Sequence, residues 1–344
     1  MEKNKNMTLN TTIIPPESQD QRLDKFLTEQ MPETSRNQIK KIILDDLILV
    51  NNKKASVHQF LKAGDVIKIL EKTILPEPEK KVSEKKNLPS TTDRKIFKKI
   101  KIIEDNDDFL IIEKPSGLLV HPTTKNETNT LVDWLLEKYP ELRNIGEDPQ
   151  RPAIVHRLDK DVSGLMLIPK SQKSFDYFKQ LFKLRNITKK YTALVYGEVR
   201  RDEDEITFPI GRSINKKGLF AAKPKVNKEE NPPSLGFGEA SKHAHTIFHI
   251  IQKFKNYTLL EVQILTGRTH QIRVHLLAYG NPIVGDQLYL AKNRNFKVLN
   301  NKSDRIFLHA SNLSFMGEDG KKWEFESKMP KPMADFLTKL EVKK

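Results

Sequence analysis

Cysteine is absent from the 344 residues. That excludes disulfides, thiolate zinc centres and a thiol nucleophile. Long apolar runs are absent too, and none approaches the roughly 20 residues that span a bilayer as a helix. The opening "MEKNKNMTLNTTIIPPE" has no apolar core of the kind a secretory signal needs, so a cytoplasmic protein is the expectation. Acidic residues are in deficit, 45 Asp and Glu against 60 Lys and Arg, for a net charge of +15. Such a balance favours a polyanionic partner, because ammonium and guanidinium groups gain by displacing the counterions of phosphates. Lysine-rich surfaces also occur on proteins with no nucleic-acid role, so charge alone divides the readings evenly.

The chain is long enough for two or three domains. Residues 1–18 are polar, rich in Asn and Thr, and read as a disordered tail. Residues 19–71 read as a compact unit. In it "RLDKFLTEQM" places Leu23, Phe26 and Leu27 at helical spacing, and "TSRNQIKKIILDD" predicts a second helix capped by Ser35, with Ile39, Ile42 and Ile43 on one face. A strand with an Asn-Asn turn ("LILVNNKKA") and a strand after a Gly-Asp turn ("AGDVIKIL") close it. Residues 72–98, rich in charge, proline and serine, have the composition of a flexible linker. Residues 99–341 alternate short β-like runs with turns and a few helix-like stretches, which predicts an α+β domain on a mixed sheet. Residues 215–242, with Lys, Pro, Gly and Asn, read as a mobile insertion.

Arg36, Lys40 and Lys41 share the second helix, near the turn lysines Lys53 and Lys54. By itself that describes a phosphate-facing surface or an ordinary solvated face. The order "RLDKFL", "SRNQIKKII", "ILVNNKKA", "LKAGDVIKI" resembles the S4 RNA-binding domain over about 50 residues. The resemblance implies that Arg36, Lys40 and Lys41 bind RNA.

In the larger domain "HRLDKDVSG" (156–164) crowds His156, Arg157, Asp159, Lys160 and Asp161 together just before the apolar "LMLIPK". A carboxylate at the mouth of a strand can act as nucleophile or general base if a cation balances its charge. The same residues also suit an exposed ion-paired loop, a turn cap, or a His-Asp metal site whose spacing matches no standard motif. A second stretch, "LTGRTHQIRVHLLAYGNPIVGDQLY", predicts a helix capped by Thr269 and ended by Gly280, with Ile272 and Leu276 on its apolar side. Arg273 lies one residue off that side, and a guanidinium there needs an anion. Asp159 is the candidate partner, in a catalytic or a purely structural pair.

"HRLDKDVSG" and "TGRTHQIRVHL" followed by "PIVGD" resemble the RluA/RluD-type pseudouridine synthases, as do "IIEKPSGLLVHP", "KKYTALVYG" and "RIFLHASNLSF". These segments occur in order over most of residues 100–340, behind an S4-like unit. Val162, where Thr is common, and the long insertion depart from the pattern. The resemblance implies an S4 domain followed by a catalytic domain on a mixed, mainly antiparallel sheet with flanking helices. It implies isomerisation of uridine to pseudouridine in structured RNA, with large-subunit (23S) ribosomal RNA the expected substrate, by a monomer using no cofactor or metal. A transfer-RNA substrate, or an RNA-binding protein of the same fold without activity, is the alternative. Asp159 would be the essential carboxylate, attacking sugar or base or removing a sugar proton. Arg273 would pair with it, and Tyr191 would lie against the flipped base and help remove the C5 proton. Arg157 would fill the gap left by the base or hold phosphate, Arg268 would assist, His156 would brace the loop, and Ile272 or Val274 would line the uracil pocket.

Overall fold

The computed structural model describes residues 10–343 apart from 32–33, 35, 58, 71–92, 124–126, 215–217, 224–240 and 290–304. The chain divides into two compact units, Met1–Leu88 and Pro89–Lys344.

The first unit runs β1 (Asn10–Ile13), α1 (Leu23–Gln30), α2 (Arg36–Leu44), β2 (Ile48–Val50), β3 (Lys53–Lys54) and β4 (Val66–Ile69). Its sheet is antiparallel with order β1-β4-β2-β3. Leu23, Phe26 and Leu27 of α1 pack on Ile39 and Ile43 of α2 and on Ile48, Val50 and Ile67 of the sheet. The β2–β3 turn places Asn51 and Asn52 at φ 51° and 61°, where asparagine tolerates the left-handed region that a tight hairpin requires. The tail expected over residues 1–18 needs correction. Asn10–Ile13 pairs along the length of β4, and Ile14 is buried in the core. One buried isoleucine in a polar run, with the backbone pairing of the four residues before it, is enough to add this strand to the sheet. Arg36, Lys40 and Lys41 lie on α2; their side chains, and the Ser35 cap, fall outside the described residues.

The second unit opens with a 3-10 turn at Asp93–Lys99, whose Ile96 and Phe97 pack against the main core. The linker expected over residues 72–98 is corrected at its end, where two apolar residues in a charged run anchor residues 93–98; residues 72–92 lie outside the described residues. Then come β5 (Lys101–Asp105), β6 (Phe109–Lys114), α3 (Leu131–Lys138), β7 (Ser163–Pro169), α4 (Gln172–Leu184), β8 (Thr188–Tyr196) and β9 (Glu203–Ile206). The chain continues through β10 (Ile210–Arg212), β11 (Phe220–Ala222), β12 (Thr246–Phe254), β13 (Tyr257–Ile264) and α5 (Gln271–Tyr279). It ends with β14 (Leu308–Met316), β15 (Lys322–Glu326) and α6 (Lys331–Leu337). Nine strands form one sheet in the order β5-β6-β7-β14-β8-β13-β12-β9, with β15 beside β14. Among the described residues, only the β7–β14 pair is parallel.

Strand β7 accounts for the apolar run after the charged loop. Met166 and Ile168 enter one core and Leu165 and Leu167 the other, so both faces are covered and the two-residue period shows as unbroken hydrophobicity. Gly164 begins that run at φ 125°, and a Cβ there would lie 2.3 Å from the Ala310 carbonyl oxygen of β14. Only glycine lets the loop enter the sheet at this close approach.

The insertion expected over 215–242 is in part ordered structure. Phe220–Ala222 pairs with β10, and Lys242 bridges back to Ile210. Leu219, Phe220 and Ala222 pack on a small core of Ile210, Ala244, Val274 and Tyr289, which holds this hairpin against α5. Residues 224–240 of the insertion lie outside the described residues.

Candidate active site

The loop before β7, the middle of β8 and the start of α5 converge on a cavity of about 390 Å³, within the range of about 300–1,000 Å³ usual for small-molecule sites. Asp159, Tyr191, Arg273, Arg157, Arg268 and Ile272 all line it. Asp159 and Arg273, more than 100 positions apart in the chain, thus meet here because β7, β14, β8 and β13 are successive strands of the sheet and β13 leads into α5.

Arg273 Nη1 donates to Asp159 Oδ2 at 3.0 Å. The guanidinium's parallel fork, however, is directed at another residue. Its Nε and Nη2 donate to the two oxygens of Asp286 at 2.7 and 2.9 Å. Asp286 also accepts from the backbone N–H groups of Leu288 and Tyr289, at 2.9 and 3.1 Å, and is fully buried. Tyr289 closes the assembly, its ring centroid 5.0 Å from the guanidinium carbon. Burial alone would lower the Arg273 pKa; hydrogen bonds to Asp286, its charge and that of Asp159 more than reverse this and raise it. The result is a permanent cation held on one side and presenting one N–H to Asp159. Asp159 Oδ1 makes no hydrogen bond among the described residues. One carboxylate oxygen is therefore anchored while the other remains available.

The bend that places Asp286 depends on Gly285, at φ 75°, where a Cβ would fall 2.0 Å from the Arg305 carbonyl oxygen. Beneath Asp159, Lys114 is completely buried at the end of β6. It donates to the carbonyls of Pro115, Leu118 and Lys160 at 3.0, 2.8 and 3.0 Å. Burial pushes its ammonium down to about 7, against the raising influence of Asp159 and Asp161. Gly117 N also donates to the Lys160 carbonyl and Ser116 Oγ to that of Asp161. The "KPSG" turn thus grips the two residues that follow Asp159.

His156 Nε2 accepts from the Leu167 backbone at 2.9 Å and stacks on Phe182 with ring centroids 4.7 Å apart. Burial holds its pKa down to about 3, so the ring is a neutral spacer between the loop and β7. Arg157 is exposed and donates to His121 Nε2 at 3.3 Å. Arg268 Nε donates to the His243 carbonyl at 3.0 Å, away from Asp159. Ile272 lines the cavity, whereas Val274 points into the small core under the β10–β11 hairpin. Tyr191 is buried; burial first and the Asp159 charge second push its phenol well above the ordinary range, so it rests protonated.

Helix α5 departs from the expected start. Its N-cap is His270, at φ 56° with no side-chain cap, rather than Thr269. The Gln271 side chain takes over, its Oε1 accepting from Arg268 N at 3.0 Å and from Thr266 Oγ1 at 2.7 Å. This strained turn brings His270 Nε2 to 3.8 Å from Asp159 Oδ2, with Nδ1 2.7 Å from Tyr289 Oη. Burial lowers the His270 pKa, and Asp159 only partly offsets this. At the other end Gly280 adopts φ 101° and stops the helix. Asp286, Tyr289, His270 and Lys114 were missed by sequence reasoning. Asp286 and Tyr289 stood in the quoted "GDQLY", but nothing in their spacing pointed back to Arg273.

Residues 108–278 match the RNA pseudouridylate synthase family, and residues 21–67 match the S4 domain. An RNA pseudouridine synthase of Aquifex aeolicus is 34% identical over 333 residues, covering 94% of this chain and 95% of the relative. The chain belongs to the RNA pseudouridine synthase family. A ribosomal large subunit pseudouridine synthase D of Yersinia pestis is 31% identical over 330 residues, covering 94% of the synthase and 91% of the relative. A solved structure, human RNA pseudouridylate synthase domain containing 1, shares the fold with a TM-score of 0.55 at 23% identity. It covers 71% of the synthase and 89% of that structure. Among the described residues, no helix of the synthase is long and apolar enough to cross a membrane.

Proposed function

We propose that the synthase converts uridine to pseudouridine in large-subunit ribosomal RNA, with Asp159 as the essential carboxylate. The observation that carries this is the asymmetric Asp159, one oxygen held by Arg273 and the other unengaged at the cavity. In the reaction the C1′–N1 bond breaks, the uracil turns while bound, a C1′–C5 bond forms, the C5 proton leaves and N1 gains one. A uridine must leave its stack to reach Asp159, at a cost of a few kcal/mol. Tyr191 backs the extruded base. Its protonated phenol suits contact with the base better than removal of the C5 proton. Ile272 supplies an apolar wall, and Arg157, exposed at the rim, fills the space vacated by the base. His156 braces the loop, and Arg268 supports the RNA rather than Asp159. A ribosomal substrate supports a cytoplasmic protein.

Relatives named for the large ribosomal subunit support that substrate over transfer RNA. The test is tritium release from 5-[³H]uridine-labelled transcripts. Release from 23S ribosomal RNA and not from a mixed transfer-RNA pool is expected; the reverse result would reassign the substrate.

The S4 unit, with Arg36, Lys40 and Lys41 on α2, tethers the RNA without joining the chemistry. Deleting residues 1–72 is expected to weaken binding of large RNAs and flatten its salt dependence, while short exposed targets are still modified. Equal affinity of truncated and full-length protein at every salt concentration would give the unit another task.

A further inference from the structure

Lysines 189 and 190 are adjacent on β8 but face opposite ways, as the two-residue period of a strand requires. Lys190 pairs with Glu261 at 2.9 Å. Lys189 falls on the Tyr191 side and lines the active-site cavity. It also lines an adjoining groove of about 230 Å³ with Lys183, Arg185, Thr266, Gly267 and Arg268. Among the described residues, no acidic residue lines that groove. Among the described residues none of Lys183, Arg185, Lys189 and Arg268 has a carboxylate partner, whereas the neighbouring Lys170, Lys179 and Lys190 each have one. The Lys189 ammonium sits 5.1 Å from the centroid of the Phe182 ring. A Cβ at Gly267 would meet it at 4.0 Å, an ordinary contact, so the ammonium lies beside this exposed stretch of backbone.

A partly buried cation without a counter-ion is costly, and the burial pushes the Lys189 ammonium down to about 8. An anion entering the groove would remove that cost. We propose that Lys189 binds a backbone phosphate of the RNA next to the target uridine, and that Arg268, Arg185 and Lys183 carry the strand away from the site. This rests on the RNA reading above and extends it to the path of the strand. A lysine is suited to the inner position, where a point charge meets phosphate from any direction, and the exposed Arg185 and Lys183 to the outer one.

The experiment is filter binding of an in vitro 23S ribosomal RNA transcript to the full chain across salt concentrations. Each phosphate contact adds about 0.7–0.9 to the slope of log affinity against log salt. Lys189→Gln is expected to lower the slope by about that amount and weaken binding about fivefold near 0.1 M salt. Lys190→Gln removes the same charge from the other face and is expected to leave the slope unchanged; Lys189→Arg should restore it. Equal changes for Lys189→Gln and Lys190→Gln, or none for either, would overturn the proposal. If Lys189→Gln does not fold, the exposed pair Lys183→Ala with Arg185→Ala decides, and an unchanged slope there overturns the strand path. The slope is read without turnover. A chain that binds through this groove yet releases no tritium would defeat the proposed substrate and chemistry and leave this inference standing.

Discussion

Asp159→Asn is expected to abolish tritium release, by roughly 10⁴-fold or more, the scale on which loss of a reacting group is felt. The amide keeps the size of the carboxylate and can still accept the Arg273 Nη1 hydrogen bond on one oxygen. What it loses is the charge and basicity of the oxygen left unengaged at the cavity. Folding should survive because Arg273 stands between two carboxylates, Asp159 and Asp286. Removing one of the two leaves a balanced pair rather than an orphaned charge. RNA binding should also survive, since the phosphate contacts lie elsewhere on a chain of net charge +15. The measurement is single-turnover release on labelled 23S transcript beside a filter-binding titration. Substantial turnover by the Asn variant would take Asp159 out of the chemistry.

Arg273→Lys should also be damaging, although charge is conserved. The guanidinium serves two carboxylates at once, through Nε and Nη2 to Asp286 and through Nη1 to Asp159. A single ammonium on a mobile stem cannot reproduce that three-point arrangement. Asp286 is the more deeply buried partner and keeps its backbone donors, so an ammonium would be drawn to it and leave Asp159 unanchored. A drift of about 1 Å in a reacting group costs on the order of a hundredfold in rate. The single-turnover rate should fall on that scale with RNA affinity much less changed. The melting temperature should fall too, because the parallel hydrogen bonds to a buried carboxylate are lost. Near wild-type rate with a lowered melting temperature would show that the Arg273–Asp286 fork is structural alone.

That fork shows where reading along the chain stops. Pairing Arg273 with Asp159 was reachable because a guanidinium at a buried helix face demands an anion and few were on offer. Asp286 was not reachable as the dominant partner. It lies 13 residues beyond Arg273, past the end of α5, and only the Gly285 turn brings it back. The apolar side read from Ile272 and Leu276 did not settle how α5 sits either, since Gln271 through Leu276 are all buried. Val274 was therefore as plausible a pocket residue as Ile272 until the β10–β11 hairpin was seen to cover it.

The sequence by itself determined the order of two units, the α1 and α2 faces, the Asn51–Asn52 turn, the Gly280 stop and the ordered segments that mark a pseudouridine synthase. These are local patterns, in which propensity and spacing act over a few residues. Only tertiary structure decided that residues 10–13 close the small sheet, that part of the insertion packs on α5, and that Lys114 grips the loop after Asp159. Strand pairing and buried polar contacts join residues far apart in the chain, and their partners are chosen by which surfaces and donors the fold leaves unmet.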